Sequence, residues 1–206
     1  MRRALQFLMF LFAVLNVLGA ARPASAQSIE ALQDTPKLDV FIGYSYFRGD
    51  SVVNGRPINL NGGSASLAFN FNRWIGLVGD VGGYQRANLT GNNLSLTIST
   101  YQAGPRFTLR NHEHFVPFAQ VLVGAGHVTG TLYTTSLGGD LPPIGANNGL
   151  TVTAGGGVDW NLVPAVAIRV IQAEYLYSRF LNGADYGDQQ NDVRLSAGIV
   201  LRFGAR

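Results

Sequence analysis

From Gly63 to Asn72 the chain alternates with a period of two. Gly63, Ala65, Leu67, Phe69 and Phe71 fall on one side, and Ser64, Ser66, Ala68, Asn70 and Asn72 on the other. Near the C-terminus Val193, Leu195, Ala197, Ile199, Leu201 and Phe203 alternate with Asp192, Arg194, Ser196, Gly198, Val200 and Arg202. Successive side chains of a β-strand point to opposite faces, so each stretch reads as a strand with one apolar and one polar face. The same alternation, less regular, marks Leu38–Phe47, Trp74–Tyr84, Leu96–Leu109, Phe115–His127, Leu150–Trp160 and Val166–Phe180. In the last of these the phase slips between Arg169 and the pair Gln172 and Glu174, which predicts a bulge near Ile171. The total is eight strands.

The connections alternate in length. Long ones, rich in Gly, Asn, Asp and Pro, cover Arg48–Asn61, Gln85–Ser95, Val128–Gly149 and Leu181–Asn191. Short ones cover Asn72–Arg73, Arg110–His114 and Asn161–Ala165. Long loops at one end and short turns at the other are the pattern of a bacterial transmembrane barrel. Strands of about 9–11 residues suit a tilted bilayer crossing. The predicted fold is therefore all-β, an eight-stranded antiparallel up-and-down transmembrane β-barrel. Closure pairs every backbone N–H and C=O and leaves no edge in lipid. The sorting of side chains agrees: the apolar set holds the large aromatics, whereas the polar set is small and Gly-rich and suits a narrow interior. Tyr44, Tyr46, Tyr84, Tyr101 and Tyr177 fall toward the long-loop end, and Phe71, Trp74, Phe107, Phe115, Trp160 and Phe203 toward the short-turn end. Two interfacial girdles are expected from this.

The first residues form an address. Met1-Arg2-Arg3 is positive, Ala4 to Ala20 is apolar, and Ala24-Ser25-Ala26 precedes Gln27. That order is a cleavable signal peptide over residues 1–26, with Ala24, Ala26 and Gln27 marking the cleavage, rather than a spanning helix. Residues 27–36 are then a short periplasmic N-terminal segment and 37–206 the barrel domain. The 206 residues carry a formal net charge of +3, which alone would hint at nucleic acid or anionic lipid. The leader holds Arg2, Arg3 and Arg22 and no acid, so the remaining chain is formally neutral and no nucleic-acid partner is expected. Charged residues are 13% and cysteine is absent. The first disfavours disorder, and the second excludes disulfides, thiolate metal sites and cysteine nucleophiles.

Several segments carry a resemblance: Phe41-Ile42-Gly43-Tyr44-Ser45-Tyr46, Gly104-Pro105-Arg106, Pro117-Phe118-Ala119-Gln120, Gly155-Gly156-Gly157-Val158-Asp159, Ala173-Glu174-Tyr175 and the run Arg194 to Phe203. In order and spacing they resemble the small outer-membrane β-barrel family with an OmpA-type, eight-stranded transmembrane domain, often described as porin-like. The resemblance spans nearly all of residues 37–203. It implies a location in the bacterial outer membrane, with lipid as partner. It also implies insertion by the barrel-assembly machinery, read from a terminal strand ending in an aromatic residue. Leu201 and Phe203 fill that role here, although Gly204-Ala205-Arg206 follow. A monomer without a wall-binding second domain is expected.

Candidate chemistry lies inside. Inward positions include Asp80, Gln102, Arg106, Gln120, Asp159, Gln172, Glu174, Arg194 and Arg202. An eight-stranded barrel is just wide enough for side chains to fill, and opposite charges there should pair. A network of Asp80, Arg106, Glu174 and Arg194 is expected. It would act as a polar plug or as a gate in a narrow water path. Catalytic and metal signals are weak. His112 and His114 share a turn that reads as solvated, and His127 stands near Thr129 and Ser136 without a nucleophile elbow. No catalytic residue, metal or cofactor is expected. Three functions stay open: a structural or surface-interaction protein using four extracellular loops toward an extracellular partner, a low-conductance porin-like pore, and a rim-located lipid hydrolase.

Overall fold

The computed structural model describes residues 35–49, 58–86, 96–130, 147–180 and 188–204. The cleavage residues Ala24, Ala26 and Gln27 and most of the four long connections lie outside them. Eight antiparallel strands close into a barrel: β1 (Leu38–Gly49), β2 (Ile58–Asn70), β3 (Ile75–Arg86), β4 (Leu96–Thr108), β5 (Phe115–Gly130), β6 (Asn147–Val163), β7 (Val166–Phe180) and β8 (Asp188–Phe203). Each strand pairs with its neighbour in sequence. β8 returns to β1, with Phe203 opposite Leu38 and Val193 opposite Arg48. Closure leaves no row of unpaired backbone groups, which is the condition for strands to stand in lipid.

The pleat sorts the side chains as the alternation predicts. On β3, Ile75, Leu77, Gly79, Val81 and Gly83 face out, while Gly76, Val78, Asp80, Gly82 and Tyr84 face in. The outer wall carries exposed Ile42, Leu67, Phe69, Leu77, Tyr101, Phe107, Val121, Val123, Ile168, Ile199 and Phe203. A folded chain surrounded by water rarely presents a continuous apolar belt, whereas a bilayer requires one. The belt's turn-end girdle includes Phe71, Phe107, Phe115, Trp160 and Phe203, all exposed.

Most strands outrun their predicted ends on the long-loop side. β2 begins at Ile58 rather than Gly63, β5 runs to Gly130 and β6 starts at Asn147. The reason is physical: pairing continues above the apolar band, where outward residues such as Asn59, Asn61 and Thr129 are polar and the alternation that signals a strand disappears. The turns are tight. Between β2 and β3, Asn72 Oδ1 accepts from the amides of Trp74 and Ile75, both at 2.8 Å, an Asx turn that fixes the reversal. Between β6 and β7 only Pro164 and Ala165 lie outside the strands, so the connection is shorter than the predicted Asn161–Ala165, and Leu162 is left without a register partner by an irregularity in the pairing. The phase slip in β7 is a bulge: Arg169 and Gln172 pair with Gly198 and Ser196, which leaves Val170 and Ile171 both on the outer wall.

The interior corrects two expectations. It is not lined by small polar residues alone. Phe47, Leu60, Tyr84 and Leu176 form an apolar cluster at the loop end, with Ile58 and Ile98 packed against it. Ala68, Val78 and Leu122 form a second, and Phe41, Ala167 and Val200 a third toward the turns. Tyr84 also leaves the girdle assigned to it. It sits at an even position of β3, so the pleat turns its ring inward against Phe47, with centroids 4.9 Å apart.

Candidate functional site

The inward charges fall into two groups. In the loop-end group, Arg194 of β8 crosses the lumen as a strut. Its guanidinium donates to Glu174 Oε2 on β7 at 2.6 Å, to Asp80 Oδ1 on β3 at 2.8 Å and to the Tyr84 hydroxyl at 2.8 Å. Asp80 and Glu174 thus share one cation. Glu174 Oε1 accepts from Gln120 Nε2 at 2.7 Å, and Gln120 Oε1 accepts from Arg106 Nε at 2.9 Å. The structure therefore brings Asp80, Glu174 and Arg194 into direct contact and links Arg106 only through Gln120. Among the described residues Arg106 forms no ion pair. Its guanidinium lies over the Phe118 ring, 4.6 Å from the centroid.

Glycine makes the cross-strand reach possible. Arg194, Glu174, Gly155, Gln120 and Arg106 are successive register partners on β8, β7, β6, β5 and β4. Glu174 and Gln120 meet across β6 because Gly155 has no side chain between them. A Cβ there would come within 2.6 Å of Glu174 Cγ and 2.3 Å of the Ala173 carbonyl oxygen. Two inward rows higher, Gly124 does the same for Gln102, whose Nε2 donates across β5 to Thr151 Oγ1 on β6 at 2.9 Å. Ser45 is hydrogen-bonded to Ser64 and Ser196, each at 2.7 Å, which ties β1 to both neighbours.

The turn-end group is built on Arg169 of β7. Its guanidinium forks onto Asp159, with Nε 2.7 Å from Oδ1 and Nη2 3.1 Å from Oδ2, and gives its third edge to Gln172 Oε1 at 2.7 Å. The guanidinium lies over the Phe41 and Phe118 rings, each centroid 4.3 Å from Cζ. Arg110 Nη2 donates to Asp39 Oδ2 at 3.0 Å. Arg202 stands 3.8 Å from Asp39 and 3.9 Å from Asp159. Sequence reasoning placed Asp159 and Arg202 inside but missed this group. The phase slip at Arg169 was its signal, because only the bulge returns Arg169 and Glu174 to the same wall.

These layers decide what the interior can do. Arg169, Arg194, Val78 and Leu122 are 0% exposed, so a water-sized sphere does not reach them. Among the described residues the inward acids are Asp39, Asp80, Asp159, Glu174 and Asp192, and the inward bases Arg106, Arg110, Arg169, Arg194 and Arg202. The balance leaves no net charge to select an ion. At the rim, His127 Nδ1 lies 2.6 Å from Asn148 Oδ1, an amide rather than the acid that a catalytic triad would use to orient it. Ser136 lies outside the described residues. His112 and His114 are exposed on the turn after β4. Leu201 and Phe203 are outward on β8, opposite Val40 and Leu38.

The sequence matches no protein-family model and no curated protein. The fold matches solved outer-membrane barrels. The attachment invasion locus protein Ail of Yersinia pestis, solved in complex with the heparin analogue sucrose octasulfate, is 21% identical, with a TM-score of 0.51 over 80% of this chain and 97% of that one. Neisserial surface protein A is 16% identical, with a TM-score of 0.56 over 81% of this chain and 97% of that one. The chain has the fold of the small eight-stranded outer-membrane β-barrels.

Proposed function

We propose that this outer-membrane barrel is a closed scaffold that presents its four long connections, residues 50–57, 87–95, 131–146 and 181–187, to partners outside the cell. The observation that carries the reading is the filled interior: the Phe47–Leu60–Tyr84–Leu176 cluster at the loop end and the stacked Arg169 at the turn end. A rigid scaffold with variable connections is a common way to carry recognition. Pairing of β8 with β1 leaves no strand edge to which a second copy could add, which supports reading the barrel as a monomer. The outward Leu201 and Phe203 of β8 serve as the assembly signal.

Two measurements test this. In planar bilayers the purified protein gives no current steps above those of the bare membrane; ohmic steps from the wild-type chain would replace the scaffold with the pore. For the connections, Ail offers a first ligand class, polysulfated sugars. Exposed Arg48 and Arg179 at the loop end of this barrel make that class reasonable to assay. Cells carrying the protein should be retained on immobilised sucrose octasulfate or another displayed ligand. Cells carrying a barrel with the four connections shortened should not. Equal retention of both would remove the connections from the recognition.

A further inference from the structure

The three turns of the barrel differ in kind. The first carries Asn72 and Arg73, with the Arg73 guanidinium over the Trp74 ring at 4.6 Å. The second carries Arg110, Asn111, His112, Glu113 and His114. The third, joining β6 to β7, reads Leu162-Val163-Pro164-Ala165-Val166, without one polar side chain. Leu162 is 56% exposed and Val163 52%, and Pro164 and Ala165 are also exposed. The segment lies beyond the aromatic girdle. Phe115 and Trp160 pack across β5 and β6 with tilted rings, centroids 4.6 Å apart, and Leu162 is the next outward position, about 7 Å further along the strand. Water or headgroups meet the other two turns at that level, and an apolar tip there would be an unfavourable surface.

The tip is held firmly in place. The amide of Asn161 donates to the His114 carbonyl at 2.8 Å, and its side chain donates to the Glu113 carbonyl at 2.6 Å. Arg202 N donates to the Ala165 carbonyl at 2.9 Å, and Arg202 Nη1 to Asn161 Oδ1 at 2.5 Å. The apolar groups are therefore exposed on a rigid, braced hairpin. They are also continuous with the lipid belt through Trp160, Ile168 and Leu201, all exposed. The belt is taller on this side: outward positions without a polar side chain run from Leu150 to Leu162 on β6, but only from Ile75 to Gly83 on β3. At about 3.3 Å per residue these are roughly 40 Å and 26 Å of strand. Leaning of the barrel is one way in which such a mismatch is accommodated.

We propose that the β6–β7 turn is a membrane-inserted tip. Leu162, Val163, Pro164 and Ala165 lie in the acyl region of the leaflet at the turn end, and the barrel tilts to bury them. The inference rests on the belt facing lipid, and the test separates the two. Trp74 and Trp160 are the chain's only tryptophans. Three single-tryptophan proteins are prepared: W74F, which keeps Trp160 as the belt reporter; W74F/W160F/V163W, which reports the tip; and W74F/W160F/A165W as a second tip reporter. Each is folded into phosphatidylcholine vesicles with or without brominated acyl chains, with folding checked by heat-modifiable gel mobility. The tip reporters should be quenched by bromolipid at least as strongly as Trp160 and shielded from aqueous iodide. Tip reporters open to iodide and untouched by bromolipid, with Trp160 still quenched, would overturn the inserted tip alone. Shielding found only in native outer-membrane vesicles would overturn it in favour of a protein cover. An unquenched Trp160 would overturn the lipid-facing belt itself.

Discussion

Arg194→Met is the sharpest perturbation of the interior. The methionine fills most of the space of the buried arginine, so the cavity left behind is small. What disappears is the only cation within ion-pair distance of Asp80 and Glu174 among the described residues, together with bonds of 2.6 Å and 2.8 Å to them and 2.8 Å to Tyr84. Leaving a buried charge uncompensated costs about 3–5 kcal/mol, and here two acids share the loss, so the upper part of that range is expected. With a urea dependence of about 2 kcal/mol per molar, the unfolding midpoint falls by roughly 2 M. The assay is a urea titration of the barrel in lipid vesicles, followed by heat-modifiable gel mobility and tryptophan emission. The triple variant D80N/E174Q/R194M has no charge left to strand and should recover most of the loss, because a neutral, packed interior is often as stable as an ion pair. A midpoint for R194M within about 0.5 M of wild type would show that water reaches these acids. So would a triple variant no better than the single, and either result would refute the dry, charge-paired interior.

Other substitutions probe the remaining parts. Gly155→Ala places a methyl 2.6 Å from Glu174 Cγ and should cost about 1–3 kcal/mol in the same titration. Gly79→Ala, with nothing within 4 Å of the added carbon, should stay near wild type. Phe118→Ala uncovers both Arg106 and Arg169 and should cost about 3–5 kcal/mol, again read from the urea midpoint. On the outer wall, Val121→Arg, well inside the belt, should cost about 2–4 kcal/mol of stability in vesicles, whereas Thr129→Arg near the loop-end interface should cost at most about 1 kcal/mol.

How much of this could be read from the chain follows from what each pattern reports. Alternation reports which wall a residue faces, because the pleat is a property of the backbone. It therefore disclosed the eight strands, the bulge near Ile171 and the inward placing of Asp80, Glu174 and Arg194. It does not report what lies across the lumen. Arg194 meets Asp80 from the opposite wall, 114 positions away, and nothing local marks that pairing. Arg106 was grouped with the acids by sign alone, yet its register row delivers Gln120 first. Tyr84 was sorted by residue type, as a tyrosine near a strand end, when its even position on β3 should have overruled type. The strand ends were underestimated because pairing outlasts the apolar band. Gly155-Gly156-Gly157 did carry a legible hint: consecutive glycines in a strand weaken it unless a neighbour needs the space. Phe118 and Glu174 both use that space.

The chain's only lysine is Lys37, at the barrel's edge, and every inward base is arginine. The geometry gives a reason. Arg194 serves three partners on two walls at once, and Arg169 combines a two-pronged carboxylate contact with contacts to two aromatic rings. A planar fork with five donors can do both, whereas an ammonium group lacks the fork and the stacking face. Arg194 thus ties β8 to β3 across the lumen as well as to its register partner Glu174, whereas Arg169 clamps Asp159, its register partner on β6, and among the described residues inward acids and bases are equal in number. A conducting lumen would need a continuous path that water can reach. Arg169 and Arg194 are 0% exposed, so at their level these charges are engaged with their partners rather than with water. On the proposed scaffold reading, recognition falls to the outer wall, the β6–β7 turn and the four long connections.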